Sequence, residues 1–328
     1  MTVMAATKEE DEGEVITAIV PDSAVGERLD KVLPRVFAPY SRSQLQAWLK
    51  EGRITLAGEV PLARLAVAGG EVLCLQVPPP PQARWLPEAM ALLVVYEDEN
   101  IAVIDKPAGL VVHPGAGNTT GTLANALLHR YPVTQALPRA GIVHRLDKDT
   151  SGLLVVALTE LARAELIRGL EARTIRREYL AVTNGCLVAG GTVDAPVGRH
   201  PRNRLKMAVT QKGRPALTEY RVHQRFRSHT MLSLRLQTGR THQIRVHMAH
   251  LGFPLVGDPI YGARPQLPPR SSAHLVATLQ AFRRQALHAA ALALAHPITG
   301  ESLRWESPLP PDLVTLVDAL ASDTKHNS

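Results

Sequence analysis

The N-terminal part of the chain carries the hydrophobic pattern of two short helices followed by two strands. The first predicted helix presents apolar residues three and four positions apart, Leu29, Val32, Leu33 and Val36. Ser41 is predicted to begin a second helix, because Gln44 three residues later completes a capping-box pattern. Short strand-like runs follow at residues 54–58 and 71–77. Residues 15–77 are therefore predicted to form a small helix–helix–strand unit.

The rest of the chain shows more numerous and longer strand patterns. Five apolar runs are typical of buried or half-buried strands, ALLVVYED, IAVIDK, LLVVAL, YLAVTNG and MLSLRLQ. Two helical stretches lie between them, TLANALLHRY and ELARAELIRGLEA. In the second stretch, Leu161, Leu166 and Leu170 are predicted on one face. Because strands and helices are mixed irregularly, the pattern favours an α+β fold over a doubly wound parallel sheet.

Breaks in this pattern divide the chain, whose 328 residues are enough for two domains. Four consecutive prolines at residues 78–81 favour a stiff, extended connection. The predicted organisation, in chain order, is a disordered acidic tail at 1–14, a small domain at 15–77, a proline-rich linker at 78–88, a large domain at 89–320 and a disordered tail at 321–328.

Charge is distributed unevenly along the chain. The total is +7, but the first 14 residues contain one lysine and five acidic residues, so the remainder carries about +11. Residues 199–227 alone contain nine lysines and arginines against one acidic residue, Glu219. Such a basic surface indicates binding to a polyanion such as RNA. The alternative is a solvated loop whose charges serve solubility.

Several other classes of protein are disfavoured. Cys74 and Cys186 are too few for a disulfide framework or a cysteine-rich zinc site. No apolar run reaches the length of a membrane span, and no signal peptide is recognisable. We expect a cytoplasmic protein without a membrane partner.

Motifs for nucleotide or metal chemistry are also incomplete. GAGNTTG, at residues 115–121, lacks the Gly-Lys-Ser/Thr ending of a nucleotide-binding loop and is better interpreted as a loop before a threonine-capped helix. His242, His247 and His250 lie in THQIRVHMAH, which has no H-E-x-x-H pattern and no carboxylate. No metal site is expected.

The densest cluster of charges stands directly before an apolar run. In GIVHRLDKDTSGLLVVA, Arg145, Asp147, Lys148 and Asp149 precede the apolar residues 153–158. A strand that starts at a cleft can hold polar side chains rigidly. An aspartate that is partly removed from water and faced by an arginine is suited to act as a nucleophile or base. The alternative is a turn in which aspartate and arginine only pair or cap.

A family resemblance changes the balance between these interpretations. HRLDKDTSG resembles the catalytic motif of the RluA-type pseudouridine synthases. Four other segments resemble further blocks of that family in the family's order, DKPAGLVVHPG, REYLAVTNG, TGRTHQIRVHMAHLGFPLVGDPIYG and RQALHA. Together they run through nearly the whole second domain. The first domain resembles the S-four-type RNA-binding domain, through ERLDKVLPRVFAPYSRSQLQAWLKEGRITLAG.

The resemblance implies a fold and a set of catalytic residues. The fold is a mixed, mostly antiparallel central sheet with flanking helices and an active-site cleft, preceded by a small α/β RNA-binding domain. Asp147 matches the family's catalytic aspartate, Arg245 the basic residue paired with it, and Tyr179 the tyrosine that stacks on the target base. Arg145 matches the residue that fills the space left by the flipped nucleotide. The implied reaction is an isomerisation without cofactor or metal. Asp258, in GDPIYG, is expected to shape a turn near the site.

The resemblance also implies where RNA binds. In S-four-type domains, basic residues of the second helix and the following turn face RNA phosphates, and Arg42, Lys50 and Arg53 match those positions. Within the basic stretch, the segment GRHPRNRLKMAV resembles members that modify the helix sixty-nine stem-loop of 23S rRNA. Its predicted RNA-binding residues are Arg199, Arg202, Arg204 and Lys206.

The implied partner is 23S rRNA or an assembling large ribosomal subunit, bound by a monomer. Three alternatives stay open: a family member that modifies other 23S or tRNA uridines, a non-catalytic RNA-binding or ribosome-assembly protein, and a metal-dependent nuclease or deaminase. The last lacks H-x-E with P-C-x-x-C and any carboxylate-rich cluster.

Overall fold

The computed structural model describes residues 5–7, 14–38, 40–77, 85–115, 118–203, 206–262 and 264–326. The chain forms two compact units, Met1–Arg84 and Trp85–Ser328. Residues 78–84 of the predicted linker lie outside the described residues. The predicted end of that linker at residue 88 is wrong, because Glu88 is bonded into the second unit. Its amide donates to the carbonyl of Asn125 at 3.0 Å, and its carboxylate accepts from the amide of Gly121 at 2.7 Å.

In its described part, the first unit is an antiparallel sheet with two helices. The strands are β1 (Ala5–Thr7), β2 (Glu14–Ile19), β3 (Ile54–Leu56) and β4 (Val72–Val77), in the order β1-β2-β4-β3. The helices are α1 (Leu29–Val36) and α2 (Arg42–Lys50). Their buried leucines share one core with those of β4. The predicted capping box is present, since Gln44 N–H donates to Ser41 Oγ and Ser41 N–H donates to Gln44 Oε1.

The acidic tail, residues 1–14, was predicted to be disordered, but part of it forms strands. Ala5–Thr7 pairs antiparallel with residues 15–17, and Glu14 is the first residue of β2. An edge strand offers a row of unpaired backbone groups, and this short segment satisfies those of β2. The rest of the predicted tail, residues 1–4 and 8–13, lies outside the described residues.

Across the described part of the second unit, nine strands form one twisted sheet. They are β5 (Leu93–Glu97), β6 (Ile101–Lys106), β7 (Ser151–Ala157), β8 (Arg176–Asn184), β9 (Gly191–Asp194), β12 (Leu217–Arg225), β13 (His229–Leu236), β14 (Leu287–Ala295) and β15 (Ser302–Glu306). The order is β5-β6-β7-β14-β8-β13-β12-β9, with β15 also paired to β14. Only β7 and β14 are parallel among these pairs, so the predicted mixed, mostly antiparallel α+β sheet is confirmed. A separate hairpin joins β10 (Val197–Arg199) and β11 (Met207–Val209).

Helices cover both faces of this sheet. They are α3 (Leu123–Arg130), α4 (Glu160–Glu171), α5 (Gln243–His250), α6 (Ala273–Ala281) and α7 (Pro311–His326). Leu154 and Val156 of β7 pack in the core shared with α3 and α5, whereas Leu153 and Val155 pack in the core shared with α4. Because side chains alternate along a strand, β7 is buried at every position. This explains the apolar run that follows the charge cluster.

Two sequence predictions in this unit are wrong. In α4 the buried residues are Ala162 and Leu166, while Leu161 is 60% exposed. The predicted disordered tail at 321–328 is instead helical through His326. The last turns of α7 are fixed because Leu320 is buried in a core with α6, and Asp323 forms a 2.9 Å ion pair with Arg227.

Candidate active site

Asp147 lies in a tight turn that leads into β7. The turn closes through a hydrogen bond from the amide of Thr150 to the carbonyl of Asp147, at 3.0 Å. The carbonyl of the next residue, Lys148, accepts from Lys106 Nζ at 2.9 Å and from the amide of Gly109 at 3.0 Å. Two backbone positions of the turn are therefore fixed before any ligand binds.

The same turn is held from a second direction by the segment that precedes β14. Arg284 Nη1 donates to the carbonyl of Asp149 at 3.1 Å, and Gln285 Nε2 donates to Thr150 Oγ1 at 3.0 Å. These contacts explain why the DKPAG and RQALHA segments accompany HRLD. They support the backbone around Asp147.

Lys106 is a fully buried cation beside this turn. Its Nζ donates to the carbonyls of Pro107, Leu110 and Lys148 at 2.8–2.9 Å. Burial lowers the pKa of Lys106 to about 7, against the smaller opposing influence of Asp149 and Asp147. No sequence motif indicated a role for Lys106.

Arg245, on α5, is held between two carboxylates. Its Nη1 donates to Asp147 Oδ2 at 3.0 Å, while Nε and Nη2 donate to the two oxygens of Asp258 at 2.7 and 2.8 Å. Asp258 Oδ1 also accepts from the amides of Ile260 and Tyr261. Burial alone would lower the pKa of Arg245, but its hydrogen bonds to Asp258 and the charges of both aspartates raise it. From the sequence, Asp258 was expected to shape a turn. It also orients the guanidinium of Arg245 toward Asp147.

Two aromatic rings complete this group of residues. The Tyr261 ring lies 5.2 Å from Arg245 Cζ, and its hydroxyl contacts His242 Nδ1 at 2.9 Å. His242 Nε2 is 3.9 Å from Asp147 Oδ1. Burial lowers the pKa of His242 despite the nearby charge of Asp147, which favours a neutral ring at pH 7. We call Asp147, His242, Arg245, Asp258 and Tyr261 the aspartate–arginine network.

A cavity of about 660 Å³ opens beside the aspartate–arginine network. Asp147, Tyr179 and Arg145 all line it, so three of the predicted residues share one space, and the fourth, Arg245, touches Asp147. Asp147 is 15% exposed, which leaves its carboxylate accessible. Tyr179, on β8, is buried, and burial raises its pKa, so the phenol is neutral at pH 7. The volume is in the range of small-molecule sites.

The predicted basic stretch, residues 199–227, runs from the hairpin β10–β11 through β12, and its predicted RNA-binding residues belong to the hairpin segment. Arg199 and Arg202 are exposed on it, Lys206 is half-buried, and Arg204 lies outside the described residues. The hairpin is joined to the aspartate–arginine network, since the amide of Met207 donates to the hydroxyl of Tyr261 at 2.8 Å.

The predicted RNA-binding residues of the first unit lie along α2 and the turn after it. Arg42 and Lys50 are exposed on α2, and Arg42 is 3.5 Å from Asp30. Arg53 is paired with Glu51 at 2.9 Å. These positions leave their outer surfaces in contact with solvent.

Part of the cavity's positive charge comes from residues that were not predicted at the site. Five further arginines line the cavity, Arg139, Arg173, Arg177, Arg214 and Arg240, of which Arg214 alone lies in the predicted basic stretch. Arg177 could have been found, because it stands two residues before Tyr179 in a strand and therefore shares its face. Arg139, Arg173 and Arg240 carry no such signal in the sequence.

Within the described ranges, no group of three or more His, Cys, Asp or Glu is arranged to hold a metal ion. Both ring nitrogens of His247 are engaged by protein groups, Thr218 Oγ1 and the carbonyl of Ala195, each at 2.9 Å. In the same described ranges, every helix is too short or too polar to cross a membrane.

Comparison with known proteins gives a consistent picture. Residues 100–250 match the family model described as RNA pseudouridylate synthase. The chain is 55% identical over 307 residues to "Ribosomal large subunit pseudouridine synthase D" of Xanthomonas campestris, covering 94% of this chain and 93% of the relative. Proteins of the same name from Pseudomonas aeruginosa and Escherichia coli K12 are 53% and 51% identical, over 93% and 94% of this chain and 96% and 95% of the relatives.

Solved structures with this fold are also similar. Human RNA Pseudouridylate Synthase Domain Containing 4 has a TM-score of 0.54 and 26% identity, covering 70% of this chain and 93% of that chain. Human RNA Pseudouridylate Synthase Domain Containing 1 has a TM-score of 0.52 and 27% identity, covering 71% and 95%.

Proposed function

The chain belongs to the RluA-type family of RNA pseudouridine synthases, and we propose that it isomerises uridines of large-subunit, 23S ribosomal RNA. The observation that carries the proposal is the ion pair between Asp147 and Arg245 at the wall of the cavity. Relatives more than half identical, and named as large-subunit synthases, support the rRNA substrate.

In the proposed reaction, Asp147 acts on the ribose of the target uridine. Its carboxylate either bonds to the sugar or removes a proton from it, and the bond between C1′ and N1 breaks. The freed uracil rotates, C1′ bonds to C5, and the hydrogen lost from C5 is balanced by one gained at N1. Since no atom is added or removed, the reaction needs no redox partner.

Arg245 would orient the Asp147 carboxylate. A charge-assisted hydrogen bond at 3.0 Å leaves the second carboxylate oxygen available for substrate. Because Asp258 holds the other side of the guanidinium, little reorganisation is needed when the substrate arrives.

Tyr179 and Arg145 would act on the flipped nucleotide. The reacting atoms of a uridine are inaccessible in a stacked helix, so the base must leave the stack. Tyr179, which lines the cavity, would stack on the base and assist the late proton removal. Arg145, exposed at the cavity, would fill the space that the base leaves.

We further propose that the substrate is the helix sixty-nine stem-loop. Loops have a low unstacking cost, and sequence-specific RNA recognition favours them. The basic hairpin β10–β11, joined to the aspartate–arginine network through Met207 and Tyr261, is suited to bind phosphates near the target. A different 23S or tRNA uridine is the alternative within the family.

The test is pseudouridine mapping on 23S rRNA from a strain that lacks this protein. The strain is complemented with wild type, with Asp147→Asn or with the neighbouring control Asp149→Asn. We expect the deletion strain to lack pseudouridine in helix sixty-nine. Wild type and Asp149→Asn should restore it, whereas Asp147→Asn should not. Loss at other uridines would contradict the helix sixty-nine assignment. Unchanged rRNA and tRNA would favour a binding protein without catalysis.

The first unit is proposed to be an accessory RNA-binding domain. Removing residues 1–77 should weaken or misdirect rRNA binding while the second unit, which has its own core, stays folded. Full-rate modification at the same sites by the truncated protein would contradict this role.

A further inference from the structure

We propose that Arg177 binds a backbone phosphate of the RNA at the target nucleotide, as a second anchor beside Asp147. This inference rests on the proposed function and deepens it, because it names the contact that would hold the flipped nucleotide. Arg177 lies on β8 and lines the same cavity as Asp147 and Tyr179.

The first observation is that the Arg177 guanidinium lies at the cavity wall without a partner in the described part of the chain. The residue is only 7% exposed, and its Nε is buried without a hydrogen-bond partner. Nη1 and Nη2 face the cavity, and within the described ranges Arg177 forms no ion pair or side-chain hydrogen bond with another residue. An arginine cannot escape this situation by losing its proton.

The energetic cost of such a group is considerable. A largely buried charge that lacks a partner loses part of its hydration without recovering an equivalent interaction. At Arg245, by contrast, two carboxylates compensate the charge of the buried guanidinium. The absence of a similar solution at Arg177 indicates that the compensating anion comes with the ligand.

Neighbouring groups do not supply that anion. Burial and the Arg177 charge together lower the pKa of His144 to about 3, so this ring is neutral. Burial raises the pKa of Tyr179, so its phenol is neutral as well. Glu171 lines the cavity but makes no ion pair with Arg177 in the described structure.

The backbone makes room for the guanidinium. A Cβ atom added at Gly239 would come within 2.8 Å of Arg177 Nη1, so the absence of a side chain there allows Arg177 its position. Gly239 also lines the cavity. The guanidinium therefore occupies a space at the cavity wall that a side chain at position 239 would fill.

The chemistry of the cavity favours a phosphate as the anion. Arg177 shares the cavity with several other arginines. Of the carboxylates that line the cavity, Asp147 is already paired with Arg245. The planar fork of arginine suits two phosphate oxygens. Side chains two residues apart on a strand are about 7 Å apart, so an anion at Arg177 would belong to the nucleotide stacked on Tyr179 or to its neighbour.

The test combines a charge removal on the protein with one on the RNA. Full-length wild type, Arg177→Met and the exposed neighbour control Arg176→Met are assayed on an RNA stem-loop that contains the target uridine. The same RNA is prepared with a single neutral methylphosphonate on the 5′ or the 3′ side of that uridine, or far from it. Pseudouridine formation gives kcat/KM, and thermal unfolding reports stability.

For the wild type, we expect one flanking methylphosphonate to lower kcat/KM about 10- to 100-fold. Arg177→Met should show the same loss on unmodified RNA, no further loss on that methylphosphonate RNA, and no fall in unfolding temperature. Arg176→Met should behave as wild type. Equal methylphosphonate losses in wild type and Arg177→Met, or an Arg177→Met loss that follows unfolding, would overturn the inference. Wild type that forms no pseudouridine on any RNA would instead overturn the proposed function.

Discussion

Two regions of one site treat a buried arginine in different ways. On the α5 side, Arg245 is surrounded by Asp147, Asp258 and the ring of Tyr261. On the β8 side, Arg177 is almost as deeply buried but pairs with no carboxylate in the described chain. Both arginines belong to segments that resemble the same family.

The difference separates preorganisation from ligand binding. The Arg245 charge is neutralised by the protein itself, so the geometry of Asp147 exists before RNA arrives. The Arg177 charge is left for a ligand, and the folded protein carries its cost until binding. The unpaired Arg177 cation thus lowers the stability of the free protein, and an anion of the ligand would compensate its charge.

The largest effect is expected when Arg245 loses one of its two carboxylate partners and so becomes more like Arg177. Asp258→Asn removes one of its carboxylates and leaves a buried charge only half compensated. We expect the free energy of unfolding to fall by about 3–5 kcal/mol and the rate of pseudouridine formation by about 100-fold. Urea unfolding and single-turnover assays measure the two effects.

The exposed Asp318, on α7, provides the matched control for Asp258→Asn. Asp318→Asn should change stability by less than about 0.5 kcal/mol. If Asp258→Asn were equally mild, Arg245 would not depend on its second carboxylate, and the contrast with Arg177 would fail.

Lys106 is an intermediate case, a buried cation that faces carbonyl oxygens rather than carboxylates. Its pKa is about 7 in the folded protein and 10.5 as the ordinary value, so the unfolded chain binds more protons between these limits. The destabilisation is complete below pH 7 and is relieved as the pH rises. Relative to Lys106→Met, wild type should therefore gain about 2 kcal/mol of stability between pH 7 and pH 9.

This pH dependence is measured by urea unfolding of both proteins at several pH values. Lys148→Met, at the exposed neighbour in the turn, serves as the control and should follow wild type at every pH. A Lys106→Met difference that does not vary with pH would show that the three carbonyls keep Lys106 fully charged.

The smallest effect is expected where cations are at the surface. Replacing Arg202 and Lys206 of the hairpin with glutamine should leave stability within about 0.5 kcal/mol. It should lower the slope of log Kd for RNA against log salt by roughly 1.5–2, because two phosphate contacts are lost. RNA titrations at several salt concentrations measure the slope, with the exposed Arg168→Gln as control. An unchanged slope would place the RNA elsewhere.

Local sequence patterns predicted the elements well where one short-range interaction decides them. The Ser41–Gln44 capping box is present, and all five predicted strand runs contain strands. The helical pattern failed for Leu161, because the sheet accepts a face of α4 rotated toward Ala162. The C-terminal segment was also predicted wrongly, since its polar end is fixed by Arg227, 96 residues away from Asp323 along the chain.

By itself, the sequence determined the α+β class, the family and the four residues expected at the site, because these depend on local motifs and their order. Only the tertiary structure decided which charges are compensated. Asp147 and Arg245 are 98 residues apart in the chain, yet their side chains meet at 3.0 Å. Arg177 stands two residues from Tyr179 and meets no carboxylate. Whether a buried charge has a partner depends on long-range packing and on solvent exclusion, and no local pattern encodes either.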